Sequence, residues 1–271
     1  MYKLSAFADE IGSDVGEQIK VLKDNGVSSI ELRSAEGTGV LKLTREQIKE
    51  IKKQADDNGI GFSAVGSPLG KYPLDGDFQA HLDDLERALE YASLLEAPYI
   101  RMFSFFIPED KSPEECRTQV VDWLGRMVEK AENTEIVLAH ENEKHIYGDT
   151  GERCKDLYQS IRSPSFTGIF DFANYVQCGE DPYNDCWQLV KNDITYFHIK
   201  DARSADGTVV PAGRGDGKIE EILGEAFESG FDNFLTLEPH LSVAESNYGK
   251  TTPDLFATAV NALNDVLKRV H

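Results

Sequence analysis

Cysteine is scarce in this sequence of 271 residues, and the four cysteines show no paired C-x-x-C spacing. We therefore expect reduced thiols in a cytoplasmic protein. The first residues, MYKLSAFADEIGSD, contain no uninterrupted apolar segment and become acidic at Asp9, so we expect no secretory signal peptide. No apolar run approaches the ~20 residues that a membrane span needs, which predicts that no membrane is involved.

Basic residues are also few, with 28 Lys and Arg against 48 Asp and Glu and a formal net charge of −20. A field of this sign repels phosphate backbones and anionic lipid, so we expect neither nucleic acid nor a membrane as a partner. Hydrophobic residues make up 40% and charged residues 28% of the chain. This balance is typical of a globular protein with a sizeable core.

The sequence lacks Pro/Ser-rich linkers, and it repeats one pattern, a strand followed by a helix, eight times. The first strand is not followed by a Gly-rich phosphate fingerprint, which disfavours a dinucleotide-binding sheet. We therefore predict one α/β domain over residues 1–271, a single closed (β/α)8 TIM barrel. The predicted strands are residues 2–7, 28–33, 60–66, 98–106, 135–142, 166–174, 194–201 and 234–240. Thr44 with Gln47 and Ser112 with Glu115 predict capping boxes at two helix starts. A helix with Trp187 and Val190 is predicted after the sixth strand, and Asp201 is interpreted as a helix-capping or loop acid.

Polar residues interrupt the apolar strands at four consecutive predicted strand ends, namely Glu141, Asp171, His198 and Glu238. In such barrels the carboxyl ends of the strands form one rim that carries the catalytic groups. Taken singly, each residue has a plainer interpretation as a capping acid, a core histidine or a rim carboxylate. Together, the three acids and the imidazole favour one divalent cation, with Mn²⁺ preferred and Mg²⁺, Co²⁺ or Zn²⁺ acceptable.

Several segments resemble the xylose isomerase-like barrel superfamily of sugar isomerases and epimerases, which includes ketose 3-epimerases, inosose dehydratases and, more distantly, the endonuclease IV group. They are SAFADEI, SSIELR, HENEKHIYGDT, IFDFAN, YFHIKDA, GRGDG and LTLEPH. The resemblance implies metal ligands at the four rim positions above and substrate contact by Arg214, for which a solvated arginine in a tight glycine loop is the alternative. Asn174 stands where ketose epimerases usually have histidine, a departure from their pattern. We also expect Asn142 and Asn174 to bind substrate.

The resemblance implies a metal-dependent sugar isomerase or epimerase of carbohydrate metabolism. A divalent ion that holds both oxygens of a hydroxy-ketone acidifies the C–H between them, because it stabilises the enediolate formed when the proton leaves. We expect Glu141 and Glu238 to flank a sugar or polyol ketone, one removing and the other delivering a proton. His145 and Lys200 are further acid/base candidates, with a solvated loop histidine as the alternative for His145.

Three other functions are compatible with the same barrel. A dehydratase or lyase would expel a leaving group from the same enediolate, with His145 as the acid. A nuclease of the endonuclease IV type fits poorly with six histidines and a large negative charge. A noncatalytic sugar-binding barrel would lack the metal. Barrels of this superfamily often pair, which leaves a homo-oligomer open.

Overall fold

Eight parallel strands close into a barrel in the computed structural model, which describes residues 2–241 and 251–270. Each strand pairs with its neighbours along the chain, and the last strand pairs with the first. The predicted (β/α)8 barrel is therefore confirmed. The strands are β1 Lys3–Ala6, β2 Ser29–Leu32, β3 Gly61–Val65, β4 Tyr99–Met102, β5 Val137–Glu141, β6 Phe166–Asp171, β7 Ile194–Ile199 and β8 Phe234–Leu237.

Helices follow the strands, and two of the helix starts carry the predicted capping boxes. The side chain of Thr44 accepts the N–H of Gln47 while Gln47 accepts the N–H of Thr44, and Ser112 and Glu115 repeat this exchange. The helices are α1 Val15–Asp24, α2 Arg45–Asp57, α3 Phe78–Leu95, α4 Pro113–Ala131, α5 Gly151–Ser160, α6 Phe172–Gln177, α7 Ile219–Glu228 and α8 Pro253–Val270. No helix in the described part of the chain is both long and apolar enough to cross a membrane.

A small apolar layer fills the inside of the barrel. Its members come from strands that are not all neighbours, so they can meet only across the barrel axis. They are Ala64, Ala139, Ile169, Tyr196 and Phe234. Side chains two residues apart on a strand share a face, so the next layer toward the carboxyl ends contains the residues that follow Ala139, Ile169 and Tyr196 by two positions. Three of the four predicted ligands occupy that layer.

Three predicted strands extend three or more residues past the observed carboxyl ends. β8 ends at Leu237 rather than at residue 240. β4 ends at Met102 rather than at residue 106, because the backbone beyond it pairs with a loop: the N–H groups of Phe103 and Phe105 donate to the carbonyls of Leu69 and Gly70. β6 ends at Asp171 rather than at residue 174, because the Asp171 side chain caps α6.

The helix predicted around Trp187 and Val190 is irregular. It consists of a π-helical turn, Pro182–Trp187, followed by the short helix Gln188–Val190.

Candidate metal centre

The four predicted ligands meet at the carboxyl ends of neighbouring strands. Glu141 ends β5, Asp171 ends β6, His198 lies one residue before the end of β7, and Glu238 follows β8. Strand pairing sets Asp171 directly beside His198. One ligand atom from each residue lies within 4.8 Å of the others, and all four residues are buried. The arrangement places three carboxylates and one imidazole around a common point.

The imidazole of His198 is oriented by a carboxylate outside the four. Its Nε2 lies 3.1 Å from Glu31 Oε2, while its Nδ1 lies 3.1 Å from Glu141 Oε1 and 3.9 Å from Glu238 Oε2. His198 Nδ1 and Asp171 Oδ2 are both buried, and within the described ranges neither makes a hydrogen bond of good geometry, although a charged side chain lies close to each. A histidine that donates one ring N–H to a carboxylate and turns its other nitrogen to a metal is the usual arrangement in metalloproteins.

A lysine also contacts the centre. Lys200, which follows β7, places its Nζ 2.9 Å from Asp171 Oδ2 and 3.1 Å from Glu238 Oε2. Burial lowers the pKa of Lys200, but Asp171 and Glu238 raise it well above its usual value, so the ammonium stays charged. This predicted acid/base residue therefore supplies positive charge between two of the ligands.

The protonation states show how strongly these acids interact. Burial together with the negative charges of Glu141 and Glu238 raises the pKa of Asp171 to about 7, despite the opposing charge of Lys200. Burial lowers the pKa of His198, but Glu141 and Glu31 outweigh it and raise that pKa to about 10. A divalent cation would displace this proton from Nδ1 and relieve the repulsion between the acids. The donor set thus fits a divalent cation, and it suits Mn²⁺, Mg²⁺, Co²⁺ and Zn²⁺ alike.

Each of the two glutamates directs its second oxygen to an arginine. Glu141 Oε2 lies 3.3 Å from Nη1 of Arg101, and Glu238 Oε1 lies 3.0 Å from Nη1 of Arg33. Burial raises the pKa of Glu141, but His198 and Arg101 lower it to about 2. Burial also opposes ionisation of Glu238, yet Lys200 and His240 bring its pKa well below the usual value. Both glutamates are therefore carboxylates at neutral pH.

The two predicted substrate-binding asparagines orient ligands. Asn142 receives the backbone N–H of Asp171 at 2.9 Å and donates to its carbonyl at 3.0 Å. Asn174 donates its side-chain amide to Glu141 Oε1 at 3.2 Å, and its backbone N–H is capped by Asp171 Oδ1 at 2.7 Å. Both amides are buried and hydrogen-bonded to predicted ligand residues.

Arg214 and His145 lie elsewhere. Both are exposed, and no hydrogen bond or ion pair within the described residues joins either side chain to the four ligands. His145 has a φ of 68°, and its carbonyl accepts the N–H of Ile107. The loop that carries Arg214 is organised by Asp201, a residue to which the sequence assigned only a capping or loop role.

The group beside Glu238 was not predicted from the sequence. His240 Nε2 lies 3.0 Å from Glu10 Oε1 and 3.4 Å from Glu238 Oε1, and the His240 backbone N–H donates to Glu10 Oε2 at 2.9 Å. Burial lowers the pKa of His240, but Glu238 and Glu10 raise it to about 9. The available signal was the run Glu238-Pro239-His240 at a strand end, together with the acid pair that follows β1.

Solved structures of several enzymes share this architecture. The chain is similar to the IolI protein with a bound zinc atom, at a TM-score of 0.80 and 16% identity over 99% of both chains. It is similar to the probable 3-DHS dehydratase AsbF of Bacillus anthracis, at a TM-score of 0.76 and 19% identity, covering 97% of this chain and 98% of that one. It is also similar to 3-keto-D-glucoside 4-epimerase YcjR of E. coli, at a TM-score of 0.74 and 15% identity over 98% of both chains.

At such low identity these structures show the same fold. No curated protein sequence matches the chain. The family assignment comes from the sequence itself, because the model of one family matches residues 19–264, nearly all of the barrel. The chain belongs to the xylose isomerase-like TIM barrel family.

Proposed function

We propose that the protein is a divalent-metal-dependent sugar isomerase or epimerase that abstracts a proton next to a carbonyl and passes through an enediolate. One observation carries this proposal. Glu141 and Glu238 enter the centre from β5 and β8, with Asp171 and His198 between them, so two carboxylates flank a site that fits a cation. The 3-keto-D-glucoside epimerase and the zinc-bound IolI protein, which share the fold, support a sugar ketone as substrate and a metal as cofactor.

The chemistry is divided between the cation and the chain. When bound by Glu141, Asp171, His198 and Glu238, the cation would polarise the carbonyl and the adjacent hydroxyl of the substrate, which lowers the pKa of the C–H between them. Glu141 and Glu238 are ionised, as proton acceptors must be. One takes the proton from carbon and becomes a carboxylic acid. In isomerisation the same acid returns that proton to the neighbouring carbon; in epimerisation the other glutamate, after taking up a proton from solvent, delivers it to the opposite face.

Lys200 is placed to assist, because its ammonium already lies between Asp171 and Glu238. A substrate oxygen bound beside it would gain a hydrogen-bond donor at the position where negative charge develops. Arg101 and Arg33 keep the outer oxygens of the two glutamates occupied and so fix which oxygen faces the substrate. His145 and Arg214 are assigned only the outer part of the site, since both lie on exposed loops.

Dehydration or β-elimination is the second candidate, and one contact favours it. His240 lies against Glu238 and keeps a quarter of its side chain exposed, with 26% accessible. An imidazole beside the proposed base is placed to protonate a departing hydroxyl or glycosyl oxygen. In this alternative His240, rather than the predicted His145, is the acid.

Deuterium exchange tests the proposal. The Mn²⁺-loaded protein should exchange the C–H next to the carbonyl of a ketose, an inosose or a 3-keto-glucoside in D₂O, as seen in ¹H NMR spectra. Glu141→Gln and Glu238→Gln should each abolish exchange while the circular dichroism spectrum stays native. Glu143→Gln is the matched control, because Glu143 pairs with Lys71 rather than with the four ligands. Exchange that persists in either ligand variant contradicts the proposal, and loss of water or aglycone identifies the second candidate.

A further inference from the structure

We infer that the substrate of this site is an uncharged polyhydroxy ketone, and that phosphorylated and carboxylated sugars are excluded by the charges and anion-binding groups of the site itself. This inference rests on the proposed function and narrows its substrate class. Two independent features carry it. One is the pairing of the arginines and the lysine that, within the described residues, contact the ligand carboxylates. The other is an internal carboxylate that accepts the backbone N–H groups of a glycine loop, where a phosphate would otherwise bind.

The first feature is the state of the three permanently charged cations around the ligands. Each nitrogen of Arg33 lies near a carboxylate: Nε lies 2.9 Å from Asp9, and the two terminal nitrogens lie 3.0 Å from Glu238 and 3.6 Å from Glu10. Arg33 thus contacts three carboxylates, and a phosphate or carboxylate of the substrate would compete with them for this cation.

The other two cations also contact acids, although not through every donor: Arg101 Nε is buried and has no hydrogen-bond partner within the described residues. Arg101 contacts Glu141 through one terminal nitrogen and donates the other to the carbonyls of Gly66 and Ser67. Lys200 contacts Asp171 and Glu238. Both side chains are at least 94% buried, with 6% and 5% exposed. Turning either one to a substrate anion would leave a buried carboxylate without its partner, which is strongly unfavourable.

The charge balance leads to the same conclusion. Among residues 2–241 and 251–270, six carboxylates belong to this contact network and three permanent cations oppose them, so a divalent ion does not make this described network positive, whether or not His240 carries a proton. The carboxylates are those of Asp9, Glu10, Glu31, Glu141, Asp171 and Glu238. A dianionic phosphate brought to such a site adds negative charge where there is no surplus of positive charge, whereas a neutral ketone adds no charge.

The second feature is the glycine loop after β7. In TIM barrels, phosphate groups bind at the loops after the seventh and eighth strands, where backbone N–H groups converge. Here three such groups, from Gly213, Gly215 and Gly217, already donate to the carboxylate of Asp201, each at 2.9 Å. The Asp201 carboxylate thus occupies the N–H groups that would otherwise bind a phosphate. The following helix, α7, carries Glu220 and Glu221 in its first turn, and these negative charges further repel an incoming anion.

Matched pairs of ligands test the inference. Saturation-transfer difference NMR on the Mg²⁺-loaded protein should show that D-fructose and D-tagatose each bind more tightly than their own 6-phosphates, by on the order of 100-fold. An inosose and a 3-keto-glucoside should bind as well, and 3-dehydroshikimate, a carboxylate, should bind as poorly as the phosphates. Tighter binding of any charged member, or no binding by any neutral member, overturns the inference.

A variant tests the glycine loop separately. Asp201→Ser should leave the three backbone N–H groups without their carboxylate acceptor, so that they can bind inorganic phosphate. Phosphate should then give saturable ³¹P line broadening with the variant and none with the unchanged protein. Phosphate binding by the unchanged protein at this loop overturns the inference. If the variant fails to fold, the ligand pairs still decide. Neutral ligands that bind without C–H exchange would contradict the proposed function while leaving the charge preference intact.

Discussion

Replacing Glu31 by glutamine should weaken metal binding although Glu31 is outside the four proposed ligands. Its carboxylate lies 3.1 Å from His198 Nε2 and accepts a hydrogen bond from the Tyr196 hydroxyl at 3.3 Å. Glutamine keeps the shape and can still hydrogen-bond both neighbours through its amide. The substitution therefore removes one negative charge from behind the imidazole and changes little else.

Two effects of that charge oppose each other. Without Glu31 the imidazole becomes less basic, so a proton competes less well with the metal for Nδ1, which favours metal binding. The metal, however, carries two positive charges where the proton carries one, so the lost carboxylate costs the metal about twice as much as the proton. The net loss corresponds to one unit charge across an imidazole ring, about 2–3 kcal/mol at an effective dielectric constant of about 20. This agrees with the 10–100-fold loss usual for such outer partners.

Competition with a fluorescent chelator at pH 7 measures this directly. The dissociation constant for Mn²⁺ should rise by about 10–100-fold in Glu31→Gln. Glu143→Gln is the control, because it removes the same charge from the rim but leaves Glu31 and His198 untouched; its dissociation constant should change by less than about threefold. An unchanged dissociation constant in Glu31→Gln, with the variant folded, would refute the proposed orientation of the imidazole.

Three further predictions concern stability. Burial lowers the pKa of His140 to about 3, so between about pH 6.5 and 3 only the unfolded chain takes up this proton, and the folded state loses stability as the pH falls. In urea unfolding of the EDTA-treated protein, the unfolding free energy should fall by about 1.4 kcal/mol more per unit decrease in pH than it does in His140→Gln. Equal slopes would contradict this. Gly215→Ala should destabilise by about 1–3 kcal/mol because its Cβ would lie 2.4 Å from the Ala202 carbonyl oxygen, whereas Gly125→Ala, with no heavy atom within 4 Å, should be neutral or stabilising by up to about 1 kcal/mol. Mn²⁺ at 100 times the dissociation constant of the unchanged protein should raise its unfolding free energy by about 2.7 kcal/mol, and an equal gain in Asp171→Asn at that same Mn²⁺ concentration would exclude Asp171 as a ligand.

The barrel was predictable because each strand and helix is encoded locally. Apolar runs marked all eight strands, and the caps at Thr44 and Ser112 marked helix starts from residues three positions apart. The errors lie where a residue has a second role that depends on the rest of the fold. Asp171 reads as the middle of an apolar run, yet its side chain caps α6, and the strand ends there. The turn at Pro182–Trp187 has helical apolar spacing but a wider, π-helical backbone.

The four metal-competent residues were also predictable, because parallel strands present their carboxyl ends at one rim and the chain order gives the neighbours. Their outer partners were not. The contact between Glu31 and His198 joins residues 167 positions apart, and the strand-end rule alone does not choose between Glu31 and Arg33 for that contact. Nor was the contact predicted by which Asp201 accepts the backbone N–H groups of the loop at residues 213–217, while substrate contact by the Arg214 side chain stays a prediction.

The polar centre also serves as the upper core of the barrel, which determines which variants are informative. Glu31 on β2 contacts His198 on β7, and His198 contacts Glu141 on β5, so these buried groups connect strands that do not pair with one another. Truncating one member of such a buried charged set typically costs about 3–5 kcal/mol, because its partner is left without compensation. Loss of activity in Glu31→Ala would therefore not separate a damaged site from a damaged barrel. Glutamine at Glu31, Glu141 or Glu238 preserves volume and hydrogen bonding, so a folded glutamine variant that loses metal or exchange reports on chemistry alone.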